Sequence, residues 1–168
     1  MGEILSDIWV KMLHFYEGSL HDINHFIKVH SFARLIGEKE GLSGEAMDIL
    51  ECAAIVHDIA CPLCREKYGS ARGDLQEAEG MPMTEDFLAE FALPESFVEQ
   101  VVWLVGHHHQ EDCVQRIEHR ILLEADYLVN AHESGYSEEM IRLAEKDFFR
   151  TKTGKELLNS MYIKKSDG

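Results

Sequence analysis

Four cysteines, three prolines and no run of about 18 apolar residues set the first limits on this 168-residue chain. Without such a run, no segment reads as a membrane-spanning helix. The opening MGEILSDIWVKMLHFYEG is amphipathic and carries acidic residues, unlike a secretory leader with its basic start and apolar middle. It matches the minimal myristoylation pattern, which is too short and common to carry weight. Cys52, Cys61, Cys64 and Cys113 are too few for a disulfide scaffold, and a chain of this length buries roughly two-thirds of its surface on folding without one. Reduced thiols and a cytoplasmic location are expected. Cys61 and Cys64 form a CPLC pair, but no second pair accompanies it as a structural zinc site would require. Cations are scarce too: 16 Lys and Arg against 31 Asp and Glu leave a formal charge of −15. Such a surface repels a phosphate backbone, so neither a nucleic-acid polymer nor a membrane is expected as partner.

What is abundant is helical periodicity. Apolar residues recur every three or four positions, and the chain reads as one all-α domain. Helices are expected over about Ile4–Tyr16, with Ile4, Ile8, Met12 and Phe15 on one face, and from Ser19 to about Glu40. A third, the most apolar, starts after Ser43 and runs through CAAIVHDIA until Pro62 stops it. The stretch from Cys61 to Met83, with three glycines and two prolines, reads as a long loop holding one short helix near Asp74 to Glu79. Helices are expected again over Thr84–Phe91, from Pro94 through Val105, from Arg116 to about His132, and in two segments after Gly135 and Gly154. The core therefore spans about residues 19–132, with C-terminal helices over 136–163; the terminal KKSDG is expected to fray.

Ten histidines are many for this length. His25 falls on the apolar face of the second helix, His57 and Asp58 close the most hydrophobic one, and Asp126 interrupts RILLEADYLV in line with Leu122 and Val129. Burying a charged aspartate without a partner costs several kcal/mol. A divalent metal satisfies imidazole and carboxylate together, whereas His25 alone also reads as a hydrogen-bonded core residue and Asp126 as an interhelical acceptor. In the triplet His107, His108 and His109, His108 extends the line of Val101 and Val105, with His109 near the same face; the triplet also reads as a polar helix end. His14, His21, His30, His119 and His132 read as surface or interfacial residues.

The order of these residues resembles a known family. HDINHFIKVHSFARLIGEKEGLSGEAMDILECAAIVHDIA is similar to the opening of HD-domain metal-dependent phosphohydrolases, and the likeness extends from about His21 to Val129 through HFIKV, AAIVHDIA and EADYL. The resemblance implies a helical HD-domain bundle in which His25, His57, Asp58 and Asp126 bind the metal; His21 competes with His25, which has the family's following FIKV pattern. It further implies a second site completed by His107 or His108 and a residue before the next helix, where this chain has Glu79. One or two ions are thus expected, drawn from Fe, Mn, Co or Zn, with Mg also allowed, and Asp58 and Glu79 are the catalytic candidates. Lys28, Arg65, Lys67 and Arg72 are the cations placed to hold phosphate oxygens. The implied substrate is a small phosphate ester, a nucleotide among the options. Rival readings are a diiron HD-type oxygenase and a metal-binding regulatory module without turnover.

Overall fold

The computed structural model describes residues 1–163, so the expected fraying of KKSDG lies outside the described residues. Among the described residues there are no strands. Nine α-helices follow one another: α1 (Gly2–Phe15), α2 (Leu20–Lys39), α3 (Gly44–Val56), α4 (Cys61–Tyr68), α5 (Gly73–Leu88), α6 (Glu95–Val105), α7 (Ile117–Glu133), α8 (Glu138–Asp147) and α9 (Lys152–Tyr162), with a 3-10 turn at Glu111–Cys113. No helix among the described residues is long and apolar enough to cross a membrane.

Helix α3 is the axis of the bundle. Ile49 through Val56 are all buried, so its apolar residues have neighbours on every side, as a helix hydrophobic all round demands. It packs against α1, α2, α6 and α7. Helix α2 crosses it closely at Gly37, where a Cβ would lie 2.9 Å from Met47 Cε and 3.1 Å from Leu50 Cδ2. Helix α1 seals one side with Leu5, Ile8, Met12 and Tyr16, a 3-4-4 spacing. Tyr16 takes the inward place expected of Phe15, which is exposed.

The segment expected to be a long loop is helical. Pro62 does not stop α3 but sits in the first turn of α4, where a missing N–H is harmless. Gly69, at φ +68°, ends α4. The glycines of the following segment are packing positions, not breaks. Gly73 and Gly80 lie seven residues apart on one face of α5; a Cβ on Gly73 would come 3.0 Å from the His109 ring, and one on Gly80 would come 3.0 Å from Val105 Cγ1 and 3.9 Å from Ala60 Cβ. Helix α5 even accommodates Pro82, and the helix expected at Thr84–Phe91 is its last part.

The C-terminal helices are tied to α7 through Glu124, which is fully buried. Its Oε1 accepts from the backbone N–H of Arg150 (2.6 Å) and Thr151 (3.0 Å), and its Oε2 accepts from Thr151 Oγ1 (2.5 Å). Thr151 in turn caps α9 by accepting from Gly154 N–H (2.9 Å), so this helix begins before the glycine expected to precede it. A Cβ on Gly154 would collide with Glu124 Oε2.

Candidate metal centre

Four elements deliver polar side chains to one point beside α3. His25 comes from the middle of α2, His57 and Asp58 from the turn that leaves α3, His108 from the turn that leaves α6, and Asp126 from α7. His57 is fully buried, His108 and His25 nearly so, and Asp126 is 8% exposed.

The tautomers follow from the outer partners of the rings. His25 Nδ1–H donates to Glu133 Oε2 (2.8 Å), His57 Nδ1–H to Ala54 O (3.0 Å) and His108 Nδ1–H to Val105 O (2.6 Å). With each Nδ1 proton committed to oxygen, all three Nε2 atoms turn toward the centre. There His25 Nε2 and His57 Nε2 stand 3.3 Å apart, two acceptors facing each other. His25 Nε2 is 3.4 Å from Asp58 Oδ2 and 3.2 Å from Asp126 Oδ1; His57 Nε2 is 3.6 Å from the same two oxygens. His108 Nε2 lies 3.4 Å from Asp58 Oδ1 yet has no hydrogen-bond partner.

Three imidazole nitrogens and two carboxylates crowd one buried point, and a cation there would satisfy all of them at once. Ligands at about 2.1 Å from one ion lie about 3.0–3.4 Å from their neighbours, from octahedral to tetrahedral geometry, and the separations above cluster around that value. His25, His57 and Asp58 each offer one ligand atom, all within 4.8 Å of one another, and Asp126 Oδ1 is as near to both rings. The residues therefore fit a divalent metal. Burial opposes a charge on His25, but the Asp126 hydrogen bond, the Asp58 carboxylate and Glu133 outweigh it and raise its pKa to about 10. Burial likewise pushes Asp58 and Asp126 up, and the surrounding imidazoles overcome it and hold both carboxyls below the ordinary range.

Supporting residues complete the centre. Glu133 divides its carboxylate between His25 and Lys28 Nζ (3.0 Å). Asn130 Nδ2 donates to Asp126 Oδ1 (2.9 Å), and Tyr16 OH donates to Asp58 O (2.6 Å). None of the three was singled out from the sequence. The first two carried a signal, since 126, 130 and 133 share one helical face; Tyr16, arriving from α1, carried none.

Other expected site residues are elsewhere. Glu79 is bound by Lys67 Nζ (2.6 Å) and Tyr68 OH (2.5 Å) on the outer side of α5, not by the cluster, because α5 is a helix whose inner face carries Gly73 and Gly80. His107 turns away as well: its ring stacks on Trp103 at 4.3 Å and its Nδ1–H donates to Trp103 O (2.7 Å). His119, expected at a surface or interface, is fully buried behind it, donating from Nε2 to His107 O (2.7 Å). Nor are the expected phosphate cations free. Lys28 pairs with Glu133, Arg65 with Asp22 (2.5 Å), Lys67 with Glu79 and Arg72 with Asp74 (2.7 Å). In an acidic protein, local carboxylates claim the few cations first.

A cavity of about 180 Å³ opens onto the centre. His108, His109 and Asp126 line its inner end, and Leu123, Tyr127, Tyr136 and Phe148 line its walls.

Comparison with known proteins places these features in a family. Residues 22–131, more than half of the chain, match the HD domain. The fold resembles a predicted HD superfamily hydrolase from an uncultured Thermotogales bacterium, at a TM-score of 0.65 and 23% identity over 96% of this chain and 84% of that one. It also resembles an HD-superfamily hydrolase from Bacillus thuringiensis, at a TM-score of 0.63 and 18% identity over 96% of this chain and 90% of that one. No curated protein matches the chain.

Proposed function

The chain belongs to the HD domain family, and from that premise we propose that it is a metal-dependent phosphohydrolase that cleaves a small phosphate ester with water. The observation that carries the reading is the convergence of the three histidine Nε2 atoms with Asp58 and Asp126 on one buried point, where His108 Nε2 has no hydrogen-bond partner. When bound, a divalent cation supplies Lewis acidity to a phosphoryl oxygen and brings the pKa of water toward neutrality. Mixed nitrogen and oxygen donors suit Fe, Mn, Co or Zn better than Mg. His25, His57, Asp58 and Asp126 would hold the ion, with His108 completing the set. Glu133, Ala54 O and Val105 O fix the rings so that no rotation is needed on binding. Asp58, 23% exposed at its side chain, would orient a water beside the ion as well as bind it. With Glu79 and His107 directed elsewhere, this ligand set supports one ion.

The test is metal analysis coupled to turnover. Protein reconstituted with Mn, Fe, Co or Zn is expected to hold about one equivalent, and His57→Ala is expected to lose it while remaining helical by circular dichroism. Asp126→Ala is expected to lower hydrolysis of a responsive phosphomonoester about 100-fold or more. Hydrolysis indifferent to chelation and to Asp126→Ala would defeat the proposal. Oxygen consumption by the iron-loaded protein without phosphate release would replace it with the oxygenase reading.

A further inference from the structure

The cavity beside the metal centre constrains what is attached to the phosphate. Its inner end is formed by His108, His109 and Asp126, so the alcohol part of an ester whose phosphoryl group was held there would face the remaining walls. The cavity is open to solvent on one side, and its volume of about 180 Å³ gives close wall contact to about one ring of a ligand, against the 300 Å³ or more of sites that enclose larger ones.

The walls are mostly aromatic and aliphatic, with the Tyr136 hydroxyl and the His109 ring as their uncommitted polar groups. Leu123, Tyr127, Tyr136 and Phe148 supply the surface, and Tyr127 packs on Phe148 with ring centroids 5.2 Å apart. No open slot between parallel rings is left there for a nucleobase. Asn130 spends its amide on Asp126, and the Tyr127 hydroxyl donates to Met140 O (3.3 Å), so sugar hydroxyls and base edges find few partners. No Lys or Arg is among the residues that line the cavity, so a second phosphate would meet no cation in its walls; Arg120 lies behind Phe148, bonded to its carbonyl (3.0 Å).

Resting on the phosphohydrolase reading, we infer that the substrate is a monophosphate ester of a compact, uncharged, apolar alcohol, one ring or a branched chain of that bulk, seated against Tyr127, Tyr136 and Phe148. Nucleotides fall outside this class.

Non-hydrolysable phosphonates separate binding from chemistry. By calorimetry on Mn-loaded protein, benzylphosphonate is expected to bind at least about tenfold more tightly than methylphosphonate, which lacks the ring. Leu123→Trp, which fills the cavity, is expected to bring the two within threefold at unchanged Mn content; Tyr136→Ala, at a half-buried position, gives the same loss should the larger residue fail to fold. Phe148→Ala is expected to admit a naphthyl phosphonate by opening the wall toward Met140 and Leu143, which line the groove beyond it. Equal affinity for benzyl- and methylphosphonate, or faster hydrolysis of AMP than of phenyl phosphate, would overturn the assignment while leaving the phosphohydrolase reading intact. Ring-dependent phosphonate binding without hydrolysis of any ester would overturn that reading and keep the cavity assignment.

Discussion

Glu133 offers a test of the metal centre that leaves every ligand in place. Its Oε2 accepts the His25 Nδ1 proton at 2.8 Å while Oε1 accepts from Lys28 at 3.0 Å, and its side chain is only 13% exposed. Glu133→Ala frees the His25 ring to rotate and leaves its Nδ1–H without an acceptor. Loss of an outer partner of this kind weakens metal binding about 10- to 100-fold, equivalent to about 1.4–2.7 kcal/mol. Glu133→Gln should sit at the low end, because its amide oxygen can still face His25 while its NH2 opposes Lys28. The control is Lys28→Met: Lys28 is nearly half exposed, and breaking such a pair alone costs about 0.2–1 kcal/mol, less than sixfold in affinity. Competition with a chromophoric chelator, at fixed pH and with folding checked by circular dichroism, measures all three. A folded Glu133→Ala protein whose affinity for Mn or Zn lies within twofold of the parent would refute the argument that Glu133 orients the ligand. An effect of Lys28→Met as large as that of Glu133→Ala would move the role from the hydrogen bond to net charge.

Two further outcomes are expected. His107→Ala and Glu79→Gln should both retain a full equivalent of metal and near-parental turnover, since one side chain stacks on Trp103 and the other pairs with Lys67; metal loss in either variant, read by elemental analysis, would show that the cluster is drawn too narrowly. On the far side of α2, Glu51 accepts from His30 (3.0 Å) and Arg34 (3.0 Å), and the His30 bond, against the opposing effect of burial, lowers its pKa. A depressed carboxyl stabilises the fold above its unfolded value, near 4.3, and the contribution fades as pH falls through the folded value. Glu51→Gln should therefore cost about 1.5 kcal/mol in urea unfolding at pH 6 and much less at pH 3; an equal cost at both would assign the loss to packing.

How far the sequence reached depended on whether a residue's partners shared its helix. His25, Asp126 and His108 were legible because each continues an apolar face on its own helix, and the buried His57–Asp58 pair made sense only with a cation beside it. The same rule separates the triplet: 105 to 108 keeps to the inner face, whereas 103 to 107 places His107 on Trp103. Glu79 was misplaced because Gly73, Gly80 and Pro82 read as loop residues, although the glycines are small for the sake of His109 and Val105. The four cations were assigned by proximity in sequence alone, and their true partners Asp22, Asp74, Glu79 and Glu133 compete for them through space. The cavity was invisible because its walls come from α7 and the chain around α8, far from the motif that announced the centre.

The family match ends at residue 131, but the cooperative unit does not. Glu124 lies two residues from Asp126, and the three donors that satisfy its buried carboxylate all belong to residues 150 and 151. A chain ending after α7 would leave that carboxylate starved of partners one half-turn from Asp126, a ligand of the proposed metal centre. Recombination that carried only the matched segment into another protein would thus deliver the recognisable motif with its floor removed. The tail is inherited with the centre or the centre is not inherited whole.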